Sequence, residues 1–370
     1  MRRELERLDV PGEHEARERA WALVQAAYAG RERQPRGRST LRPIVVTAAV
    51  AAIVAAALSP PGRAVLDSVR EAVGVESASE SLFEVPSGGR LLVTADSGVW
   101  VVAADGSKRR LGDYESASWS PLGRFVAASR PTELTALEPD GDVRWKLARP
   151  RVRTPVWTGT RSDTRIAYVT DGRLHVVGGD GRRDVEAGGS TSPALRVAPA
   201  WRPGSAFEIA YLDTRGYVMV FGTERAGPNW RSIRLRDARA LHWSPRGDRL
   251  LVVGRDRLVT LRASDGVARG KQLPGVAAAA FAPDGRLAVV RRNGTRSDVL
   301  VDGRVRFSGT GTFSDPTWSP DGRWVLVSWR DADQWLFVRA AGARRVHAVA
   351  NVSRQFDSGT PPRIAGWIAP

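Results

Sequence analysis

The hexapeptide Trp318-Ser319-Pro320-Asp321-Gly322-Arg323, followed by Trp324-Val325-Leu326-Val327-Ser328, constrains this chain more than any other stretch. Pro fixes the backbone at the first corner of a turn, and Asp-Gly supplies residues that tolerate positive φ. The segment therefore predicts a strand ending in an aromatic, a tight turn and a second strand. Variants recur as Trp119-Ser120-Pro121-Leu122-Gly123-Arg124, Trp243-Ser244-Pro245-Arg246-Gly247-Asp248 and Phe281-Ala282-Pro283-Asp284-Gly285-Arg286. Weaker copies stand at Trp157-Thr158-Gly159 and Trp201-Arg202-Pro203.

The aromatics at 119, 157, 201, 243, 281 and 318 are separated by 38, 44, 42, 38 and 37 residues. That period is the length of one four-stranded propeller blade. Between the turns lie short β-branched runs such as Arg249-Leu250-Leu251-Val252-Val253, and eight Asp-Gly pairs punctuate the region. Upstream, Val85-Pro86-Ser87-Gly88-Gly89-Arg90 imitates the turn and adds a further unit. Residues 82–370 are thus expected to form an all-β, seven-bladed β-propeller, with six blades as the alternative. Blade one has the poorest first strand, Leu82 to Val85, while Arg363-Ile364-Ala365-Gly366-Trp367 carries an aromatic where an inner strand should end. The C-terminal tail is therefore expected to complete blade one, because an open blade would leave an unpaired edge.

The first 82 residues differ in character. Residues 1–42 hold 10 Arg and 7 acids, and Glu13 to Ala29 predicts a helix with Trp21, Val24 and Tyr28 on one face. Residues 43–62, Pro43 to Gly62, carry no charge. Twenty helical residues rise about 30 Å, enough to cross a bilayer core. A signal-peptide core is the competitor, but the segment lies far from the N-terminus and runs into Pro60-Pro61. We read it as an uncleaved single-pass transmembrane anchor. Five arginines between Arg31 and Arg42 place the N-terminus in the cytoplasm and the propeller outside. Residues 63–81 read as a juxtamembrane helix and linker.

Chemistry is hard to find. Cysteine is absent, and His14, His175, His242 and His347 are scattered, so no catalytic, cofactor-binding or metal site is expected. A Gly-x-Ser-x-Gly elbow, a Walker loop, a Rossmann fingerprint and a calcium loop are all missing. The turn aromatics, fixed in every repeat, read as core residues rather than stacking platforms.

The Trp-Ser-Pro-Asp-Gly-Arg turn, its following aliphatic strand and the later Asp-Gly resemble the repeat of TolB-like, WD-repeat-like β-propellers over about residues 114 to 347. Units three and four depart from the full turn, and the Gly-His and Trp-Asp dipeptides of true WD repeats are missing. With the basic tail and single span, the whole also resembles membrane-anchored bacterial envelope proteins of the actinobacterial type. The resemblance implies a rigid interaction platform and no particular chemistry.

The net charge is +16, carried by 53 Arg and 3 Lys, which favours anionic partners. Loops leading into inner strands should share one face, and three of them hold Arg149, Arg151 and Arg153, then Arg196, then Arg234, Arg236 and Arg239. The loops before Phe281 and Trp318 hold no positive charge, so a basic arc beside a neutral one is expected. The same arginines also fit an ordinary share of the Arg excess. The expected function is a membrane-anchored, non-catalytic scaffold binding a protein or an anionic envelope component; the extracytoplasmic compartment disfavours nucleic acid. The alternative is an anti-sigma-like transmembrane signalling protein, in which Glu13–Ala29 meets a cytoplasmic regulator.

Overall fold

A computed structural model describes residues 84–187, 197–204, 207–223 and 229–370. The tail helix, the Pro43–Gly62 run, the juxtamembrane segment and Arg196 lie outside the described residues. Among the described residues no helix is long and apolar enough to cross a membrane.

The repeated turn is built around its serine. The Ser319 amide donates to the Trp324 carbonyl at 2.9 Å, and the Gly322 amide returns to the Ser319 carbonyl at 2.9 Å. The Ser319 hydroxyl accepts from the Trp324 amide at 2.9 Å and donates to the Asp321 carboxylate at 2.6 Å. Ser120 and Ser244 accept from the corresponding amides of Phe125 and Arg249. All three serines are buried, which is affordable only because each hydroxyl is hydrogen-bonded. Where Ala282 replaces the serine, the two backbone bonds remain and the Asp284 carboxylate accepts from the Arg286 amide at 3.1 Å. The Asp-Gly pairs are not one turn type. Asp171-Gly172 and Asp302-Gly303 have both residues at positive φ, as a two-residue hairpin loop requires. In the Trp-turns only the glycine does, Gly322 at +67°.

Seven four-stranded antiparallel sheets follow. Six are consecutive in sequence: Ser116–Ala148, Arg153–Glu186, Ala200–Arg234, Ala240–Pro274, Val276–Thr310 and Phe313–Ala350. The remaining sheet is blade one, in which three N-terminal strands, Arg90–Ala95, Gly98–Val102 and Lys108–Gly112, take their inner neighbour from the far end of the chain. Arg363–Ile368 pairs with Arg90–Ala95, setting Trp367 opposite Leu91 and Ile364 opposite Val93. The seven-bladed count and the C-terminal clasp are both observed.

The core is not inside the blades but between them. Among the described residues seven apolar clusters form, each drawing on two adjacent blades and on one turn aromatic. Trp243 lies in the cluster of blades four and five, with Leu212 and Val220 from one side and Leu250 and Val252 from the other. Trp318 serves blades six and seven, and Trp367 blades seven and one. Trp119, Trp157, Trp201 and Phe281 pack against the remaining four. The second and third strands of a blade thus pack on both faces, which explains why many of their runs, such as Val126–Arg130 and Arg249–Val253, are nearly continuously buried rather than alternating. The aromatics also stitch the ring. Trp201, Trp243 and Trp318 donate from Nε1 to the carbonyls of Val156, Ala200 and Ala280, each at 3.0 Å. In every case the acceptor is the residue just before the aromatic of the preceding blade.

Inner strands have a free edge, and proline sits there without penalty because no ladder partner needs its missing N–H. Pro155 and Pro316 fall two residues before Trp157 and Trp318, inside Arg153–Gly159 and Phe313–Trp318. Register slips at both places, between Arg153 and Val156 and between Ser314 and Thr317.

Candidate anion-binding face

Antiparallel order fixes which loops share a face. Lead-in loops to the inner strands and the turns between second and third strands lie on one side of the disc. The Trp-turns and the loops between third and outer strands lie on the other.

On the lead-in face the sequence-predicted arginines are less free than their clustering implied. Arg149 is drawn inward to Asp184, with Nε and Nη2 at 2.9 and 2.7 Å from Oδ2. Asp184 also accepts from the Tyr168 hydroxyl at 2.8 Å and faces His175 Nδ1 at 3.4 Å. Burial opposes the Asp184 charge, but the neighbouring His175 ring and the hydrogen bonds from Tyr168 and Arg149 outweigh it and hold the carboxyl below its usual range. Burial, then Asp184, push the Tyr168 phenol well up. This network is a lock between blades two and three.

Arg151 is exposed but paired with Asp171 in the adjoining turn. Arg153 is half-buried at the start of its inner strand. Arg234 donates to the Arg215 carbonyl at 2.9 Å. Arg236 and Arg239 are exposed, with no acidic partner among the described residues. Between them Asp237 is taken by Arg257, whose hydrogen bond lowers the Asp237 pKa below the ordinary carboxylate value. Of the six predicted positions among the described residues, the structure therefore leaves Arg236 and Arg239 as outward, unpaired cations, with Arg151 beside its acid.

The neutral sector is not neutral. Turns between second and third strands interleave with the lead-in loops and bring Arg292 and Arg330 to the same face. Arg292 donates to Thr312 Oγ1 at 2.6 Å, inside the very loop that carries no charge of its own. The same turns supply Asp256, Asp331 and Asp333. Reading lead-in loops alone misses this interleaving.

Much of the Arg excess is architectural, a role sequence reasoning did not assign. Arg90, Arg202 and Arg286 donate to the turn carbonyls of Gly123, Gly247 and Gly322 in the next blade. Their guanidinium groups lie over Trp119, Trp243 and Trp318 at 5.2, 5.5 and 5.1 Å from the ring centroid. The arginine at the end of two of these turns, Arg90 and Arg286, was the available signal. Among the described residues no group of His, Cys, Asp and Glu is arranged to hold a metal ion.

No family model and no curated protein matches the chain in sequence. Solved structures do match in fold. A structure described as a putative 6-phosphogluconolactonase from Bacteroides uniformis is similar at 14% identity and TM-score 0.51, over 71% of this chain and 96% of its own. The C-terminal WD40 domain of Sif2 aligns at 12% identity and TM-score 0.51, over 75% of this chain and 82% of its own. The β-propeller domain of Swd1 from Myceliophteria thermophila aligns at 12% identity and TM-score 0.50, over 64% and 85%. Identities this low carry the fold alone: residues 84–370 form a seven-bladed β-propeller similar to WD40 propellers.

Proposed function

We propose that this protein is a non-catalytic binding scaffold of the TolB-like kind, displayed outside a bacterial membrane by the Pro43–Gly62 anchor. Its partner is a protein or envelope component with anionic surface. The observation that carries the reading is the closed ring itself. Seven blades packed face to face hold the lead-in loops in a fixed plane, and Arg151, Arg236 and Arg239 project from it. A rigid frame presenting loops saves the ordering cost that a flexible surface would bear on binding. The anchor and its orientation rest on the uncharged run and the Arg31–Arg42 cluster.

The test measures binding of the full-length protein to acidic wall polymers and anionic vesicles across a salt series. Contact through these arginines should weaken steeply as salt rises. Changing Arg151, Arg236 and Arg239 together to Ser should reduce both the binding and its salt dependence. Unchanged binding would sink the role of this face. A phosphatase fused at residue 370 should be active only outside; activity inside would reverse the topology.

A further inference from the structure

The opposite face carries a second group of arginines, at the seam between blades six and seven. Arg306 lies in the outer strand of blade six, Arg304–Thr310, and reaches across the seam to blade seven. Its Nε donates to the Arg339 carbonyl at 3.1 Å and its Nη2 to the Gly342 carbonyl at 2.9 Å. At the seam of blades one and two Arg109 makes a longer single contact of this kind, to the Asp140 carbonyl at 3.4 Å, and at two other seams the bridging is done without charge. Trp145 of blade two donates to the Gly179 carbonyl of blade three at 2.9 Å, and Trp230 of blade four to the Ala263 carbonyl of blade five at 2.8 Å.

Two more arginines flank it. Arg304 precedes it by two positions on the same strand, and Arg344 follows Gly342 in the loop that Arg306 holds. Both are exposed, Arg345 stands beside them, and none of the four has an acidic partner among the described residues. Asp302, the carboxylate nearest in sequence, accepts from the Leu287 amide at 3.0 Å instead. Burial, then the charges of Arg344 and Arg304, depress the pKa of the Arg306 guanidinium below its ordinary value. Like charges gathered around a fixed, partly dehydrated guanidinium are unfavourable unless an anion sits among them.

We propose that the seam between blades six and seven, bridged by Arg306 and flanked by Arg304 and Arg344, binds a phosphate-bearing ligand. Arg306 is anchored through two of its three nitrogens, so the third and the two exposed flanking guanidiniums are the groups that would grip oxygen. Arginine suits phosphate because its planar fork donates paired hydrogen bonds to two oxygens. The site lies on the side of the disc away from Arg236 and Arg239, so it stands or falls independently of the lead-in face.

The experiment titrates full-length protein with inorganic pyrophosphate by calorimetry, and separately with vesicles of phosphatidylcholine with or without phosphatidylglycerol. Pyrophosphate binding, or binding to the phosphatidylglycerol vesicles alone, supports the site, and which of the two occurs tells a soluble phosphate from a lipid headgroup. Changing Arg304 and Arg344 together to Ser leaves the Arg306 bridge intact. It should weaken that binding by on the order of 100-fold, from the loss of two charge-assisted contacts. The melting temperature should stay unchanged, and the Arg151, Arg236 and Arg239 triple variant should retain pyrophosphate binding. If wild type binds neither probe, or the Arg304/Arg344 variant binds as wild type does, the proposal is wrong.

Discussion

Consider the seam at which the ring closes. Trp367 is 9% exposed and sits between blades seven and one, its Nε1 donating to the Gly88 carbonyl at 2.9 Å and its ring meeting Phe337 edge-on. Trp318, 6% exposed, is its counterpart one seam earlier, with the bond to the Ala280 carbonyl. A buried Trp removes about 200 Å² from water, and deleting one to Ala typically costs about 3–5 kcal/mol. The carbonyl left without its donor adds about 1 kcal/mol. Trp367→Ala and Trp318→Ala should therefore each destabilise by about 4–6 kcal/mol, and by nearly the same amount. Equality is the informative part, because it says the closing seam is packed as well as an interior one. Removing residues 363–370 goes further and bares Leu91 and Val93, both fully buried in the intact ring. A loss of that size approaches the whole stability of a typical domain, about 5–15 kcal/mol. Calorimetry and urea titration of full-length protein give the comparison. If Trp367→Ala costs under about 1 kcal/mol while Trp318→Ala costs the full amount, the C-terminal strand is an ornament rather than a closure.

Three further outcomes follow from smaller features. Ser319→Ala removes the acceptor of a buried amide and should cost about 1–2 kcal/mol in urea melts, whereas Ala282→Ser should cost nothing measurable. Gly266→Ala would press a methyl carbon to 2.3 Å from the Trp230 ring at φ +70°, so its melting temperature should fall well below that of Gly303→Ala, whose added carbon meets open space. His242 lies on the inner strand Ala240–Trp243, where burial lowers its pKa from 6.5 to about 4. The unfolded chain then binds the proton first, so stability is full above about pH 6.5 and declines toward pH 4, by about 2–3 kcal/mol after allowance for partial solvent contact. His242→Leu should flatten that decline relative to wild type; an identical pH profile would mean the imidazole is not desolvated.

The fold was legible because the signal is periodic and local. A Trp-turn names both strands it joins, and even the degraded turns at Trp157 and Trp201 keep the spacing. The clasp was legible too, since Trp367 stands in an inner-strand position with no inner strand of its own to end. The arginine surface was not. Arg149 meets Asp184 from the next blade, and Arg306 meets a loop more than thirty residues on, so neither pairing is visible within a repeat. Nor does a linear reading separate a motif arginine such as Arg286, spent on the next blade's turn, from Arg236, spent on nothing.

The direction of the stitches has a consequence for synthesis. Trp201, Trp243 and Trp318 reach back to the blade made before them, so as those blades emerge from the ribosome each indole finds its acceptor already formed. The arginines Arg90, Arg202 and Arg286 reach forward and must wait for the next blade. Blade one alone waits for the last strand of all, since its inner neighbour is Arg363–Ile368. Throughout elongation the free edge of Arg90–Ala95 is therefore an unfinished sheet, open to any strand that passes. Contacts this distant in sequence also form late and slowly. A chain stalled or clipped near its C-terminus would present six complete blades and a three-stranded blade one with a sticky edge, which is the form most prone to pair with a copy of itself.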